Sequence, residues 1–361
     1  MVYNVIGTMS GSSIDGLDIV YCTLQEIGGK WSYQINVSDC IEFPEVWQQK
    51  LNHITEATAK ELLLTHAAFG HWMANAIKDF IHQHQLEHKV HLIASHGHTV
   101  FHDPANHMTF QMGDGAAIAT INRLPVVSDL RNMDVALGGE GAPIVPIGEK
   151  LLWNEYAYFL NIGGISNITI ARDSTHIAFD VCPANKVLNL LSNELGKSYD
   201  DQGRSASKGL INEDLLFELN DLDYYKKSYP KSLANEFGSD VLFGIIQKYS
   251  ISTEDKLCTL CEHIAMQINA VCNEASQLSP EKMLITGGGA NNDYLVSRIK
   301  HFLAQKNIEI DIPHPDLIAY KEALIMALIG VLRWREEINV LHTVTGASRS
   351  SIGGALWMGQ D

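Results

Sequence analysis

The order of strands, turns and helices along this chain predicts an α/β protein of two lobes, each a mixed β-sheet flanked by helices. Three observations carry the prediction. A chain of 361 residues, 46% of them hydrophobic and 19% charged, is too long for one ordinary core and buries two with ease. Twice it gives strand, glycine/serine turn, strand, turn, strand and then helices, a repeat of pattern rather than of residues. No low-complexity stretch and no Pro- or Ser-rich linker interrupts the sequence.

The first half opens with YNVIGTM, an apolar run that breaks at glycine and serine. LDIVYCTLQEI follows as a strand, Gly28-Gly29 supply a hairpin turn, and WSYQINVSDCIEF forms the third strand. Pro44 to about Gln85 has helical spacing, VHLIASHG reads as a buried strand, FQMGD as a short one, GAAIATIN as a helix and PVVSD as a closing strand. The second half begins again with AYFLNIGG, SNITIARD and HIAFDV as strands. The helix PANKVLNLLSNEL has Pro183 suited to its first turn. A long helix over about 255–279, the strand EKMLIT, the loop GGGANN and helices near 291–304 and 321–337 complete it. The lobes are expected at 1–130, joined by 339–361, and at 131–338. Equivalent turns facing a common cleft explain the repetition, and a cleft between domains is a usual place for a small-molecule site.

A net charge of −16 excludes a general nucleic-acid or anionic-membrane binder, which needs a basic face. MVYNVIGTMSGSS shows no signal peptide, and no apolar stretch reaches about 18 residues, so a cytoplasmic setting without membrane anchorage is expected. The six cysteines are scattered, and Cys258 and Cys261 form a lone CxxC within an apolar helical pattern, which reads as buried helix cysteines.

Three glycine loops carry the chemistry. Gly7, Gly11 and Gly16 in GTMSGSSIDGLD permit close backbone approach, Ser10, Ser12 and Ser13 offer hydroxyls, and successive N–H groups form an anion-binding nest. Asp15 and Asp18 add carboxylates suited to a hydrated magnesium ion. A tight hairpin with a capping aspartate gives the same pattern. NIGGISN occupies the equivalent place in the second half, so Gly163 and Gly164 read as a second phosphate clamp. TGGGANN suits adenosine, with Gly287, Gly288 and Gly289 leaving room for a base. This third loop does not fit GxGxxG in a βαβ unit and lacks a GK[ST] ending. Phosphoryl transfer needs positioning and charge neutralisation above all, and opposed backbone clamps with a metal provide both.

This layout resembles the actin-like superfamily of sugar kinases and ATPases. More narrowly, MSGSSIDGLD, ASHGHTVFHDP, FQMGDGAAIA, VVSDLRNMDVALGGEGAPIVP, LNIGGISNIT, AFDVCPAN, LITGGGANN, KEALIMALIG and VTGASRSSIGG resemble, in order, the motifs of anhydro-N-acetylmuramic acid kinases. The resemblance implies ATP and Mg²⁺ as cofactors and a small amino sugar as partner. It implies conversion of 1,6-anhydro-N-acetylmuramic acid, ATP and water to N-acetylmuramic acid 6-phosphate and ADP in cell-wall recycling, and it suggests a homodimer. Phosphate binding then falls to Gly11, Ser12, Ser13, Ile14, Asp15, Gly16, Leu17 and Asp18, with Mg²⁺ at Asp15. Asp180 becomes the general base that takes a proton from water, where the residues alone favour a helix cap. Arg131 and Asp129 read as sugar contacts, arginine being able to grip a lactyl carboxylate bidentately. Asp134 holds either a sugar hydroxyl or the protein itself, and His96 and His98 line the substrate site. Gly138, Gly139 and Gly141 suggest a close-approach loop.

The chain departs from the family pattern DTGPxN at Val181 and Cys182, carries Asn189 where an aspartate is common, and lacks the arginine of a KSTGRE-like stretch within 231–238. A same-fold kinase for another anhydro or amino sugar, a chaperone- or filament-like ATPase and a silent sugar sensor are the alternatives.

Overall fold

The computed structural model describes residues 1–11, 14–172, 175–234, 237–273, 275–276 and 279–359. Ser12 and Ser13, both expected phosphate contacts, lie outside the described residues. The chain forms two compact units, Met1–Asn154 with Tyr320–Asp361, and Glu155–Ala319.

The first unit is built on β1 (Val2–Ser10), β2 (Gly16–Ile27), β3 (Lys30–Glu42), β4 (Leu92–Asp103), β5 (Met108–Met112) and β6 (Val126–Ser128). β1, β2 and β3 are an antiparallel meander, and β4 and β6 continue parallel to β1, giving the order β3-β2-β1-β4-β6. The turn between β2 and β3 is the expected glycine pair, with φ of 59° at Gly28 and 80° at Gly29, the left-handed pair that a two-residue hairpin needs. Over one face lie α1 (Glu45–His53), α2 (Ala59–Gln83) and α3 (Gly115–Asn122), enclosing Ile6, Leu17, Ile19, Phe69, Met73, Ile77 and Ile93. Helix α2 starts on a capping box, Thr58 with Glu61. Two short helices follow, α4 (Asn132–Ala136) and α5 (Pro146–Leu152).

The second unit repeats the plan. β7 (Tyr158–Ile162), β8 (Ile165–Arg172) and β9 (Thr175–Pro183) form the meander, and β10 (Glu281–Thr286) and β11 (Ile308–Asp311) run parallel to β7, in the order β9-β8-β7-β10-β11. Its helices are α6 (Asn185–Glu194), α7 (Glu213–Asn220), α8 (Phe243–Ile246), α9 (Thr253–Val271) and α10 (Asp293–Ala304). The core lies between the sheet and these helices, with Leu160, Ile168, Val187, Leu191, Ile264 and Ile299 inside it. The two sheets therefore share one strand order, the architecture that the actin-like resemblance implied. Helix α11 (Pro315–Trp334) loses helical dihedrals at Tyr320 (φ −117°, ψ 16°), where the chain re-enters the first unit, and α12 (His342–Thr345) and β12 (Ala355–Trp357) end it. β12 pairs antiparallel with β6.

The observed divisions at 154/155 and 319/320 correct the boundaries expected at 130/131 and 338/339. Residues 131–154 are tied into the first unit by Thr345 on Asp134, by a Lys321–Glu149 ion pair at 2.7 Å and by Trp153 donating to the Tyr33 hydroxyl. Residues 320–334 pack on β1 at Gly7, where a Cβ would stand 2.0 Å from the Ala323 carbonyl oxygen. Two local expectations also change. Pro183 ends β9, and α6 begins only at Asn185. The helix expected to 279 stops at Val271, where Lys306 Nζ takes the carbonyls of Asn269 and Cys272.

Candidate active site

In the first unit the turn from β1 to β2 runs from Gly11 to Asp15, at the carboxyl end of a strand flanked by a parallel neighbour, the usual place for a ligand in such sheets. Ile14 has φ 55° and its N–H reaches the Gly11 carbonyl at 3.4 Å. Ser10 Oγ shares a 2.9 Å hydrogen bond with the buried His98 Nδ1, so His98 orients the last residue before the turn. Burial lowers the His98 pKa.

The glycines that flank the turn serve packing. A Cβ on Gly16 would stand 2.7 Å from Cys40 Sγ and 2.8 Å from the Ile41 carbonyl oxygen, and Gly7 admits α11. Leu17, expected near phosphate, is fully buried in the core, with its backbone paired to Ser10 and Ile41. These three positions shape the strands on either side of the turn. Asp15 is exposed, and Asp18, half-buried, is pushed up to about 6 by burial, with the Cys40 thiol donating to it and Asp15 and Glu322 adding like charge. Among the described residues no group of three or more His, Cys, Asp and Glu is arranged to hold a metal.

Beside the turn, on β4 and the segment after β6, lie the expected sugar contacts. Asp129 has φ 56° and accepts from Ser128 Oγ at 2.7 Å, while Trp357 Nε1 donates to the same Ser128 oxygen. Arg131 Nε donates to His96 Nε2 at 2.8 Å and its Nη1 donates to the Gly141 carbonyl at 3.1 Å. Burial lowers the Arg131 guanidinium, with Glu322 opposing. His96 is buried and spends both ring nitrogens on the protein, so its expected sugar contact is replaced by a contact to Arg131.

Asp134 likewise turns to the protein. It is fully buried, its Oδ2 accepts from the Gly141 N–H at 2.8 Å and its Oδ1 from Thr345 Oγ1 at 2.8 Å. Of the two readings open in the sequence, the geometry favours holding the 138–141 loop. A Cβ on Gly139 would stand 2.3 Å from Asp134 Oδ2, so the glycine there admits the carboxylate.

In the second unit the equivalent turn joins β7 to β8 at Gly163 and Gly164. The carbonyls of both glycines accept from the first N–H groups of the segment opening α6: Asn185 on Gly163, Ala184 and Lys186 on Gly164. Asn185 Nδ2 also donates to the Ile162 carbonyl at 3.0 Å. The triple glycine lies against the same place. A Cβ on Gly287, which has φ 81°, would stand 2.6 Å from Asn161 Oδ1, and one on Gly289 would stand 2.2 Å from Ile162 Cγ2. Two of the three glycines expected at adenosine thus let the loop pack on the β7–β8 turn, and only Gly288 is exposed.

Asp180 sits where β9 bulges. Asn167 pairs with Asp180 and Ser166 with Cys182, leaving Val181 as the extra residue. Val181 and Cys182 both turn into the core, Cys182 with its thiol 3.3 Å from Ser166 Oγ. Asp180 stays half-buried, its Oδ2 accepting from the Leu233 N–H at 2.9 Å, its N–H reaching the Lys231 carbonyl at 3.4 Å and its carbonyl accepting from Tyr224 at 2.7 Å. Among the described residues its Oδ1 has no hydrogen-bond partner. Burial raises the Asp180 pKa, and the Leu233 N–H partly offsets this. The carboxylate caps no helix: α6 starts without a side-chain cap. Lys231 Nζ stands 4.8 Å from the centre of the Tyr224 ring and 5.7 Å from that of Phe179. The seat formed by Tyr224, Lys231 and Leu233 was not anticipated. Its one signal was that 231–238 takes the place of a family motif.

Two units of one topology, each with a glycine turn at the carboxyl end of its first strand, define the actin-like α/β class of fold. A family model for anhydro-N-acetylmuramic acid kinase matches residues 3–359. Proteins of that name from Vibrio vulnificus (strain CMCP6) and Clostridioides difficile (strain 630) are each 32% identical to it, over 365 and 374 residues. The first alignment covers 98% of this chain and 97% of the relative, the second 97% of both. One from Sulfurimonas denitrificans is 30% identical over 372 residues and 98% of both chains. The chain belongs to the anhydro-N-acetylmuramic acid kinase family.

Proposed function

We propose that the protein opens 1,6-anhydro-N-acetylmuramic acid with water and phosphorylates it from ATP, giving N-acetylmuramic acid 6-phosphate and ADP for peptidoglycan recycling. The observation that carries this reading, beside the family, is the Asp180 seat. One carboxylate oxygen is tied to a backbone N–H and the other is left for a water, on a strand re-aimed by a bulge. Asp180 Oδ1 takes a proton as the water oxygen bonds to the anomeric carbon. The electrons of the carbon–O6 bond pass to O6, which bonds to the γ-phosphorus as the bond to ADP breaks. Because phosphoryl transfer removes the developing charge on O6, no separate acid is needed there.

The β1–β2 and β7–β8 turns are assigned to phosphate through their N–H groups, and Gly288 to the adenosine side. Asp15 with Asp18 would hold Mg²⁺. The like charges around Asp18 fit a cation that keeps most of its water and arrives with the phosphates, where it neutralises their charge. Arg131 is assigned to the lactyl carboxylate and Asp129 to a sugar hydroxyl. A cytoplasmic location and a homodimer belong to the same reading.

The test is ADP release by purified protein with magnesium-ATP, with and without the anhydro sugar. Turnover that needs the sugar and disappears in Asp180→Asn supports the reading. ATP binding with no stimulation by this sugar refutes the substrate.

A further inference from the structure

His96 and Arg131 form an arrangement that the reaction above does not explain. The imidazole Nδ1–H donates to the Gly97 carbonyl at 2.9 Å, which fixes the tautomer and leaves Nε2 as an acceptor. That acceptor takes the Arg131 Nε–H at 2.8 Å. Gly97 has φ 73°, and it lies where β4 shifts register against β1. The irregularity lets His96 and His98, two apart on one strand, serve different partners, Arg131 and Ser10.

The chemical character of this partner matters. Elsewhere Arg298 is gripped through Nε and Nη2 by Glu262, a bidentate pair that cancels its charge. Arg131 is held as firmly, by His96 and the Gly141 carbonyl, yet both acceptors are neutral. Burial, with Arg131 beside it, pushes His96 down to about 3, so the imidazole carries no charge. Two of the five guanidinium N–H donors are used, and three remain with no partner among the described residues. The exposed Glu322 is the acid whose charge reaches Arg131.

We propose that His96 is a positioning residue for substrate recognition: a neutral acceptor that fixes the Arg131 guanidinium while leaving its charge for the carboxylate of the sugar. This rests on the assignment of Arg131 to that carboxylate. An acidic residue at position 96 would orient the arginine equally well and discharge it. A residue without an acceptor at the Nε2 position would leave it charged but unplaced.

Two substitutions separate these roles. In His96→Asn the amide falls near the place of Nδ1 and no acceptor reaches Arg131, whereas His96→Gln puts an oxygen near the place of Nε2. Calorimetry gives the dissociation constants of each protein for 1,6-anhydro-N-acetylmuramic acid and for 1,6-anhydro-N-acetylglucosamine, the same sugar without its lactyl group. The ratio of the two constants is the readout, and thermal unfolding is followed alongside. His96→Asn is expected to lose roughly ten- to a hundredfold of the preference for the lactyl sugar, the worth of a hydrogen bond to a charged group. His96→Gln is expected to keep it within about threefold, and kcat on saturating sugar is expected to change less than KM in both. A purely structural role would lower stability in both variants and leave the ratio alone. Arg131→Met locates any failure. If wild type shows the preference and Arg131→Met abolishes it while His96→Asn retains it, the positioning role is wrong and the arginine assignment stands. If Arg131→Met retains the preference, the assignment falls and the inference with it. Should His96→Asn not fold, loss of the ratio in a folded His96→Gln overturns the inference.

Discussion

Replacing Asp180 by asparagine isolates a single proton transfer. The Leu233 N–H faces Oδ2, so the amide must turn its oxygen to that donor and present its NH₂ where Oδ1 stood. The attacking water then meets a donor in place of an acceptor, with the seat otherwise intact. General base catalysis contributes about 10²–10⁴ in rate, so kcat should fall by that factor, about 3–5 kcal/mol in barrier, with sugar affinity nearly unchanged. The pH profile gives a second handle. Burial holds the Asp180 pKa above its ordinary 3.8, so the rate falls as pH drops through that raised value, and this acid limb is absent from the variant's residual rate. For stability, the raised pKa means that the folded chain favours the protonated form. That contribution is present at acid pH and is lost as pH rises through the raised value, so Asp180→Asn should not be destabilised at neutral pH. Steady-state ADP release across pH, with urea unfolding of both proteins, measures all of this. A variant within about threefold of wild type, or one keeping the acid limb, would show that Asp180 is not the base.

Three further outcomes follow from the same geometry. Lys321→Met leaves Glu149 buried without its cation and should cost about 3–5 kcal/mol in urea unfolding, while adding Glu149→Leu should recover much of the loss; additive losses would contradict the pairing. Asp18→Asn removes a carboxylate whose pKa is about 6 in the folded chain; without ligands it should stabilise the protein by about 1–2 kcal/mol above that pH, after allowing for solvent screening, and by nothing well below 3.8. Gly7→Ala should cost about 3 kcal/mol or more because the new methyl meets a helix carbonyl, whereas Gly164→Ala, whose Cβ would meet only Lys186 Cβ at 3.7 Å, should melt normally and bind ATP more weakly. Differential scanning calorimetry and nucleotide titration distinguish the two.

Patterns of residue type made the fold readable. The Gly28-Gly29 hairpin and the apolar strands each obey a local rule, and the structure keeps them. Glycine was harder to assign, since a sequence tells that something approaches but not what. At Gly7, Gly16, Gly139 and Gly289 the approaching atoms belong to the protein itself: a helix carbonyl, a neighbouring strand, Asp134 and Ile162. Polar residues posed the same difficulty. His96 and Asp134 stand in a motif full of ligand-like residues, and only the hydrogen bonds show that one holds Arg131 and the other a loop. The domain limits went astray because residues 131–154 precede and α11 follows the second sheet in the chain, yet both pack with the first, through contacts more than a hundred residues apart. Asp180 was singled out by the motif around it. Its tie to Leu233 was not, because a backbone N–H carries no signature of residue type.

The strand order written twice has an evolutionary consequence. A domain that duplicates begins with two copies of the same turn, and each copy is then free to change. Here the two turns differ in chemistry. The turn of the first sheet carries Asp15, with Asp18 just inside β2, while that of the second, Gly163-Gly164, has no acid and its carbonyls hold the start of α6. One strand order thus carries two chemically unlike turns in a single chain.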